Sequence, residues 1–163
     1  MIILSEAKSQ SPPDISTYFY PKKITCPVCE KVFETQVVRE SKLRAVGSDT
    51  DFLARYKDID PNHYEVLYCP NCGYAALTTY FPNVTERQQT TLMTALSKGP
   101  KPEAFEFPYS LDSVITRYKR ALECVDILNA KASMRAFIYL RLAWVLRVAG
   151  ARQDLEKECI QKA

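Results

Sequence analysis

The 163-residue sequence predicts an α+β fold, a small β-rich, zinc-ribbon-like module followed by an α-helical hairpin. Three patterns carry that expectation. Cys26-Pro27-Val28-Cys29 and Cys69-Pro70-Asn71-Cys72 are two CxxC turns, each with proline after its first cysteine, and together they offer four sulfurs to one tetrahedral ion. The runs beside them are short and rich in aromatic and β-branched residues, as strands are. Beyond Ser110 the apolar residues change to helical spacing.

In chain order, residues 1–17 are polar, carry Pro12-Pro13 and are expected to form a mobile lead-in. The metal module spans 18–84. Its β-like runs, at 18–20, 32–38, 64–68 and 75–81, flank the cysteine turns as strands flank the knuckles of a zinc ribbon. Between the second run and the third lies a polar stretch, residues 40–63, too long for an ordinary hairpin connection; loops of this length are usually functional or disordered. Residues 85–109 read as a helix and a proline-rich linker. Thr85 and Gln88 fit a capping box, Leu92, Met93 and Leu96 follow at helical spacing, and Gly99 stops the helix. Prolines 100, 102 and 108 then forbid a continuous helix, while Phe105 and Phe107 imply that the linker packs against something.

Residues 110–163 form the helical region. Ser110 caps a helix whose Leu111, Val114, Ile115, Tyr118, Leu122 and Val125 make one apolar stripe, with Asp112, Lys119, Glu123 and Asp126 off it. The next helix, 134–148, is apolar around most of its circumference, so neighbours must sandwich it. Gly150 ends it. A third helix begins at Asp154 with no stop signal before Ala163, and the natural chain is expected to continue.

Composition limits the function classes. An apolar content of 47% with 25% charged residues excludes wholesale disorder. No apolar run approaches the roughly 20 residues that span a bilayer, and Met1-Ile2-Ile3-Leu4 is too short for a signal-peptide core. A cytoplasmic location is expected. There, paired CxxC turns favour metal over disulfides, and the isolated Cys124 and Cys159 read as buried small apolar residues. A net charge of +3 is too small to imply a nucleic-acid partner. Residues 20–80 carry eight basic and eight acidic side chains, before four thiolates and a zinc ion add two negative charges; residues 110–163 carry ten and six.

Cys26, Cys29, Cys69 and Cys72 are therefore the candidate ligands, with zinc as the cofactor. Four thiolates leave no open coordination position, so the metal is structural. Its binding, on the order of 10–16 kcal/mol, would be coupled to folding of a module with little core of its own. A rubredoxin-like iron site is the minor alternative, although about forty residues between the pairs is long for one. A thioredoxin-type pair needs one CxxC opening a helix, which neither does. His63, the only histidine, reads as a polar turn residue, and its isolation removes most acid–base and hydrolytic triads.

The mixed-charge stretch 40–63 is either a solvated loop with weak local ion pairs or a recognition surface. In the second reading Phe52 and Tyr56 are apolar anchors, and Lys42 and Arg44 contact an acidic partner. Asp49 and Asp51 lack the glycine and later glutamate of a calcium loop. Arg135, Arg141 and Arg147 are six apart, each about 240° from the last, and form no basic stripe. The outer two are expected to snorkel, and Arg141 to pair with Glu123 or Asp126.

Taken together, Lys23-Ile24-Thr25-Cys26-Pro27-Val28-Cys29, Ser41-Lys42-Leu43-Arg44, the run from Tyr64 to Ala76 through Cys69-Pro70-Asn71-Cys72-Gly73, and Tyr139-Leu140-Arg141-Leu142-Ala143-Trp144 resemble the bacterial domain-of-unknown-function 2225 family. The likeness runs from about Lys22 to the end. It implies a four-cysteine metal module before tetratricopeptide-like helices, with the four cysteines as ligands, a bacterial source and no enzymatic activity. Glu30 departs from the glycine that often follows such a knuckle, as Gly73 does here, and costs the turn ease at positive φ. Tyr139, Leu142, Ala143, Leu146 and Gly150 sit where a tetratricopeptide repeat expects its first helix and turn, but two helices and a fragment are fewer than the three or so repeats of a solenoid. The helix at 134–148 must then be covered by the ribbon, by chain beyond Ala163 or by a second copy.

The leading functional expectation is a non-enzymatic zinc-binding adaptor that meets a protein partner, or itself, through the helical region. Nucleic-acid binding through the ribbon is the alternative, and the neutral charge map argues against it. A small-ligand sensor using residues 40–63 is a further one.

Overall fold

The computed structural model describes residues 14–163; the first thirteen, and with them most of the expected lead-in, lie outside the described residues. The fold is α+β. Asp14 accepts a hydrogen bond from the Ser16 amide at 3.0 Å and starts a 3-10 turn, Ile15–Tyr18. Strands β1 (Phe19–Thr25) and β2 (Val32–Val38) follow as an antiparallel hairpin, Phe19 opposite Val38 and Thr25 opposite Val32, with the first cysteine turn at its tip.

The stretch 40–63 is not the irregular loop that its length suggested. It holds a 3-10 turn (Glu40–Lys42), a second antiparallel hairpin of β3 (Ala45–Ser48) and β4 (Ala54–Tyr56), and another 3-10 turn (Pro61–Tyr64). Local chemistry closes both ends. Arg55 grips Asp49 with two hydrogen bonds of 2.9 and 2.7 Å, and Asp60 caps the last turn by accepting from the Asn62 amide. Strands of three and four residues are too short to show an alternating pattern.

Strands β5 (Val66–Tyr68) and β6 (Ala75–Leu77) enclose the second cysteine turn. Four helices complete the chain. In α1 (Glu86–Ser97) both halves of the Thr85–Gln88 capping box form. Ser110 caps α2 (Leu111–Ile127) through the Ser113 amide. Helix α3 (Ala132–Ala149) stops at Gly150, whose φ of 61° is left-handed and suits glycine. Helix α4 (Gln153–Lys162) packs back on α3.

Successive strand side chains point to opposite faces, and β5–β6 uses both. Val66, Tyr68, Ala75 and Leu77 join Val114, Tyr118, Ile138 and Leu142 in one core with α2 and α3. Leu67 and Ala76 face the other way, into a second cluster with Cys26, Cys69, Phe33, Leu92 and Cys124. One small sheet is thus the wall between a helical core and the apolar floor of the cysteine turns. The segment before α2 packs as its phenylalanines implied: Phe107 lies edge-on to Phe19 at 4.9 Å and Phe105 edge-on to Tyr68 at 4.9 Å. Helix α3, apolar on most sides, is enclosed by α2, α4 and the Pro61–Tyr64 turn.

Candidate metal centre

The two cysteine turns are copies of one backbone design. In the first the Glu30 amide donates to the Cys26 carbonyl at 2.9 Å; in the second the Gly73 amide donates to the Cys69 carbonyl at 2.9 Å. Both closing residues are left-handed, Glu30 at φ 61° and Gly73 at φ 78°. Glycine takes that conformation freely, whereas glutamate there gives up about 1–2 kcal/mol. A contact offsets part of it: Gln89 of α1 donates from its side-chain nitrogen to the Val28 carbonyl at 3.2 Å and to the Glu30 carboxylate at 3.4 Å.

The turns bring Cys26, Cys29, Cys69 and Cys72 together, with all four Sγ atoms within 4.8 Å of one another. Cys26 to Cys72 and Cys29 to Cys69 are each 3.7 Å. Four sulfurs at about 2.3 Å from a zinc ion stand about 3.8 Å apart along the tetrahedron edges, whereas a disulfide needs about 2.05 Å. The set is spaced for a metal, and all four cysteines are free thiols. Their hydrogen bonds sort their acidity. Cys26 is pushed up to about 12, first by its hydrogen bond with Cys69, and Cys72 far above the usual thiol range by those with Cys26 and Cys69, while bonds with Cys26 and Cys72 hold Cys69 low. Four thiolates coexist here only when a cation neutralises them. Cys124, 2% exposed and pushed up to about 11 by burial, backs the centre without joining the four. Cys159 is buried in the helical core.

A second polar constellation lies between β1–β2, β3–β4 and α3, where a groove of about 900 Å³ opens. Arg141 stands at its base and corrects the sequence expectation. It pairs with neither Glu123 nor Asp126 but donates to Asn62 Oδ1 at 2.7 Å and reaches Glu65 at 3.1 Å, with its guanidinium over the Phe137 and Trp144 rings. Arg135 takes Asp126 instead. Arg147 does not snorkel: it holds Asp51 at 2.8 Å, Asp49 at 3.3 Å and Glu156 of α4 at 2.8 Å, and the Trp144 indole donates to Asp51 at 3.0 Å. Burial raises the Asp60 and Glu65 carboxyls above their ordinary range, against the pull of the Asn62 hydrogen bonds on Asp60 and of Arg141 on Glu65.

Phe52 sits at the tip of β3–β4, 88% exposed and left-handed at φ 67°, while Lys42 and Arg44 are exposed and Tyr56 is half-buried. A bulky residue at positive φ is a backbone outlier. His63 hydrogen-bonds the Tyr109 carbonyl at 2.9 Å, as a turn residue. Arg117 escaped the sequence reading. It is 3% exposed, donates to the Val66 carbonyl and lies 3.9 Å over the Tyr109 ring. Its place in the sequence, three residues after Val114 and four before Ala121, was the available signal, for those positions share a buried helix face.

Among the described residues no helix is long and apolar enough to cross a membrane. The fold and the cluster define an α+β protein with a four-cysteine centre able to hold a metal ion. The chain belongs to the family described as "Uncharacterized protein conserved in bacteria (DUF2225)", whose model matches residues 19–163. A curated relative from Borreliella burgdorferi, described as "Uncharacterized protein", is 23% identical over 160 residues, covering 87% of this chain and 55% of the relative. The chain thus spans about half the length of that relative. No solved structure matches.

Proposed function

We propose that the protein is a non-enzymatic, zinc-folded interaction module, with zinc structural rather than catalytic and a protein as its partner. The closed four-sulfur cluster carries this reading. A soft or borderline ion suits four thiolates, and zinc is the one without redox chemistry of its own. Such a centre has every coordination position filled by protein, so the ion organises backbone and activates no water. Helices α2 to α4 then supply a rigid body beside it, as an adaptor requires.

The test is affinity capture from the native bacterium with the full-length protein, comparing wild type with Cys26→Ser, with metal content measured on both. One stoichiometric zinc and a partner lost with it are the expected pair of results. A wild-type protein purified without stoichiometric zinc would end the metal half of the proposal. A zinc-loaded chain that captures no protein, or that shows turnover abolished by chelation, would end the adaptor half.

A further inference from the structure

We infer that the groove beside α3 is a docking site for an acidic, extended peptide segment of a protein partner, with Phe52 as its anchor. The inference rests on the interaction-module reading and adds where the partner sits and what it is made of.

Charge sorting is the first argument. Residues 20–80 are neutral as a sequence, with eight bases and eight acids. Folding does not leave them neutral at the surface. Asp49, Asp51 and Glu65 are taken up by Arg147 and Arg141 of α3, together with Arg55, and Asp60 is drawn inward into its own turn. Lys22, Lys23, Arg39, Lys42, Arg44 and Lys57 have no carboxylate within ion-pair distance among the described residues. Of the eight acids, Glu30, Glu34, Glu40 and Asp58 are left outside these contacts, Asp58 accepting a hydrogen bond from Tyr18. Helix α3 has taken up three of the acids and left these six bases unpaired, so bases outnumber acids among the unpaired charges and the face complements an acidic partner.

The groove's walls are the second argument. Ile24, Val37, Leu43, Phe52, Tyr56 and Trp144 give it an apolar lining. Aliphatic and aromatic residues share these walls and accept apolar side chains; a single-stranded nucleic acid would call for a row of exposed stacking platforms, and among the described residues Phe52 is the most exposed aromatic ring. Residues 22–25 and 36–38 line the groove consecutively. Since strand side chains alternate, consecutive lining means that the cavity meets main chain as well as side chains. Each of the three sheets has two strands, so each strand keeps an edge that no other strand of its sheet fills. Extended peptides bind such surfaces through main-chain hydrogen bonds, with alternate side chains in pockets.

Phe52 is the third. A phenylalanine 88% exposed in a left-handed conformation serves no packing purpose within the chain, yet its hairpin is clamped by Arg55, Arg147 and Trp144. An exposed apolar ring held at a strained position is what an interface anchor looks like before its partner arrives.

A random 16-residue peptide library displayed on phage, panned against the zinc-loaded full chain, tests this. Selected sequences should combine Asp and Glu with alternating apolar residues, and should bind more weakly as salt rises. By fluorescence anisotropy, Phe52→Gly and the pair Lys42→Glu with Arg44→Glu should each weaken them at least tenfold. Phe52→Gly should meanwhile melt no lower than wild type, because glycine relieves the strained φ; lost binding without lost stability separates an anchor from a structural residue. Peptides that are not acidic, or that bind both variants as well as wild type, would overturn the groove while leaving an interaction module with its surface elsewhere. No enrichment, with tighter binding of an oligothymidylate that the Lys42 and Arg44 reversals abolish, would overturn both readings in favour of nucleic acid.

Discussion

The cysteine turns and the 40–63 insert both precede the four helices in the chain and are fastened by opposite means. The turns converge four sulfurs into a cluster able to hold an ion and rest on an apolar floor of Leu67, Leu92 and Cys124. The insert buries little beyond Leu53 and Ile59, and arginines of α3 reach across to hold it. A coordinate bond network is all-or-none, whereas a set of half-exposed ion pairs loosens one member at a time. The first region is therefore built to keep one shape, and the second can adjust to what it meets.

Metal removal should break that comparison most visibly. Chelation withdraws on the order of 10–16 kcal/mol of binding free energy coupled to folding. The β1–β2 and β5–β6 tips should then lose amide protection together, followed by hydrogen exchange, and the melting midpoint should collapse. An unchanged midpoint would show that the apolar floor alone holds the turns.

Arg147→Met comes next. It removes the contacts to Asp49, Asp51 and Glu156 while keeping an apolar stem, and should cost about 1–2 kcal/mol. Exchange should accelerate across 49–56 and stay unchanged around the cysteines. Uniform acceleration would mean that the two regions unfold as one.

A smaller effect follows from Asp60. Its folded-state pKa is raised, so the native chain holds that proton more tightly than the unfolded one. The stability it contributes is full below the ordinary aspartate range, near pH 4, and is lost as pH rises through the folded value. Asp49 and Asp51 have the opposite sign, being held low, Asp49 first by Arg55 and Asp51, against its burial, by Arg147 and Trp144; their contribution is lost as pH falls. Asp60→Asn keeps an acceptor for the Asn62 amide and removes the buried charge. Its urea midpoint should match or trail wild type at pH 4.5 and gain on it by pH 7.5. A constant difference would reject burial as the cause.

Glu30→Gly sharpens the comparison within the cysteine pair itself. It makes the first turn like the second, and should gain up to about 1–2 kcal/mol, less whatever the Gln89 contact supplies. A loss would show that Gln89 outweighs the backbone.

What the sequence disclosed was what short-range chemistry decides. The cysteine spacing, the Thr85 and Ser110 caps, the Gly150 stop and the α2 stripe all depend on residues within a turn or two of each other, and each is where it was expected. Glu30 was read as a strained substitute for glycine, and its φ is positive. The partners of Arg141 were out of reach, because Asn62 lies 79 residues away and the neighbouring helix offered Glu123 and Asp126 as nearer candidates. The β3–β4 hairpin was hidden for a related reason: part of its clamp comes from α3, and its strands are too brief to announce themselves.

The alternation in β5 ties two quantities that usually vary separately. Cys69 follows Tyr68 directly, so sliding β5 by one residue would turn Val66 and Tyr68 toward the cysteine side and carry the Cys69 sulfur off its mark. Strand pairing and ligand position thus share a single parity. An ion that needs all four sulfurs at once can be captured only by the correct pairing, so metal uptake at this cluster would proofread the sheet.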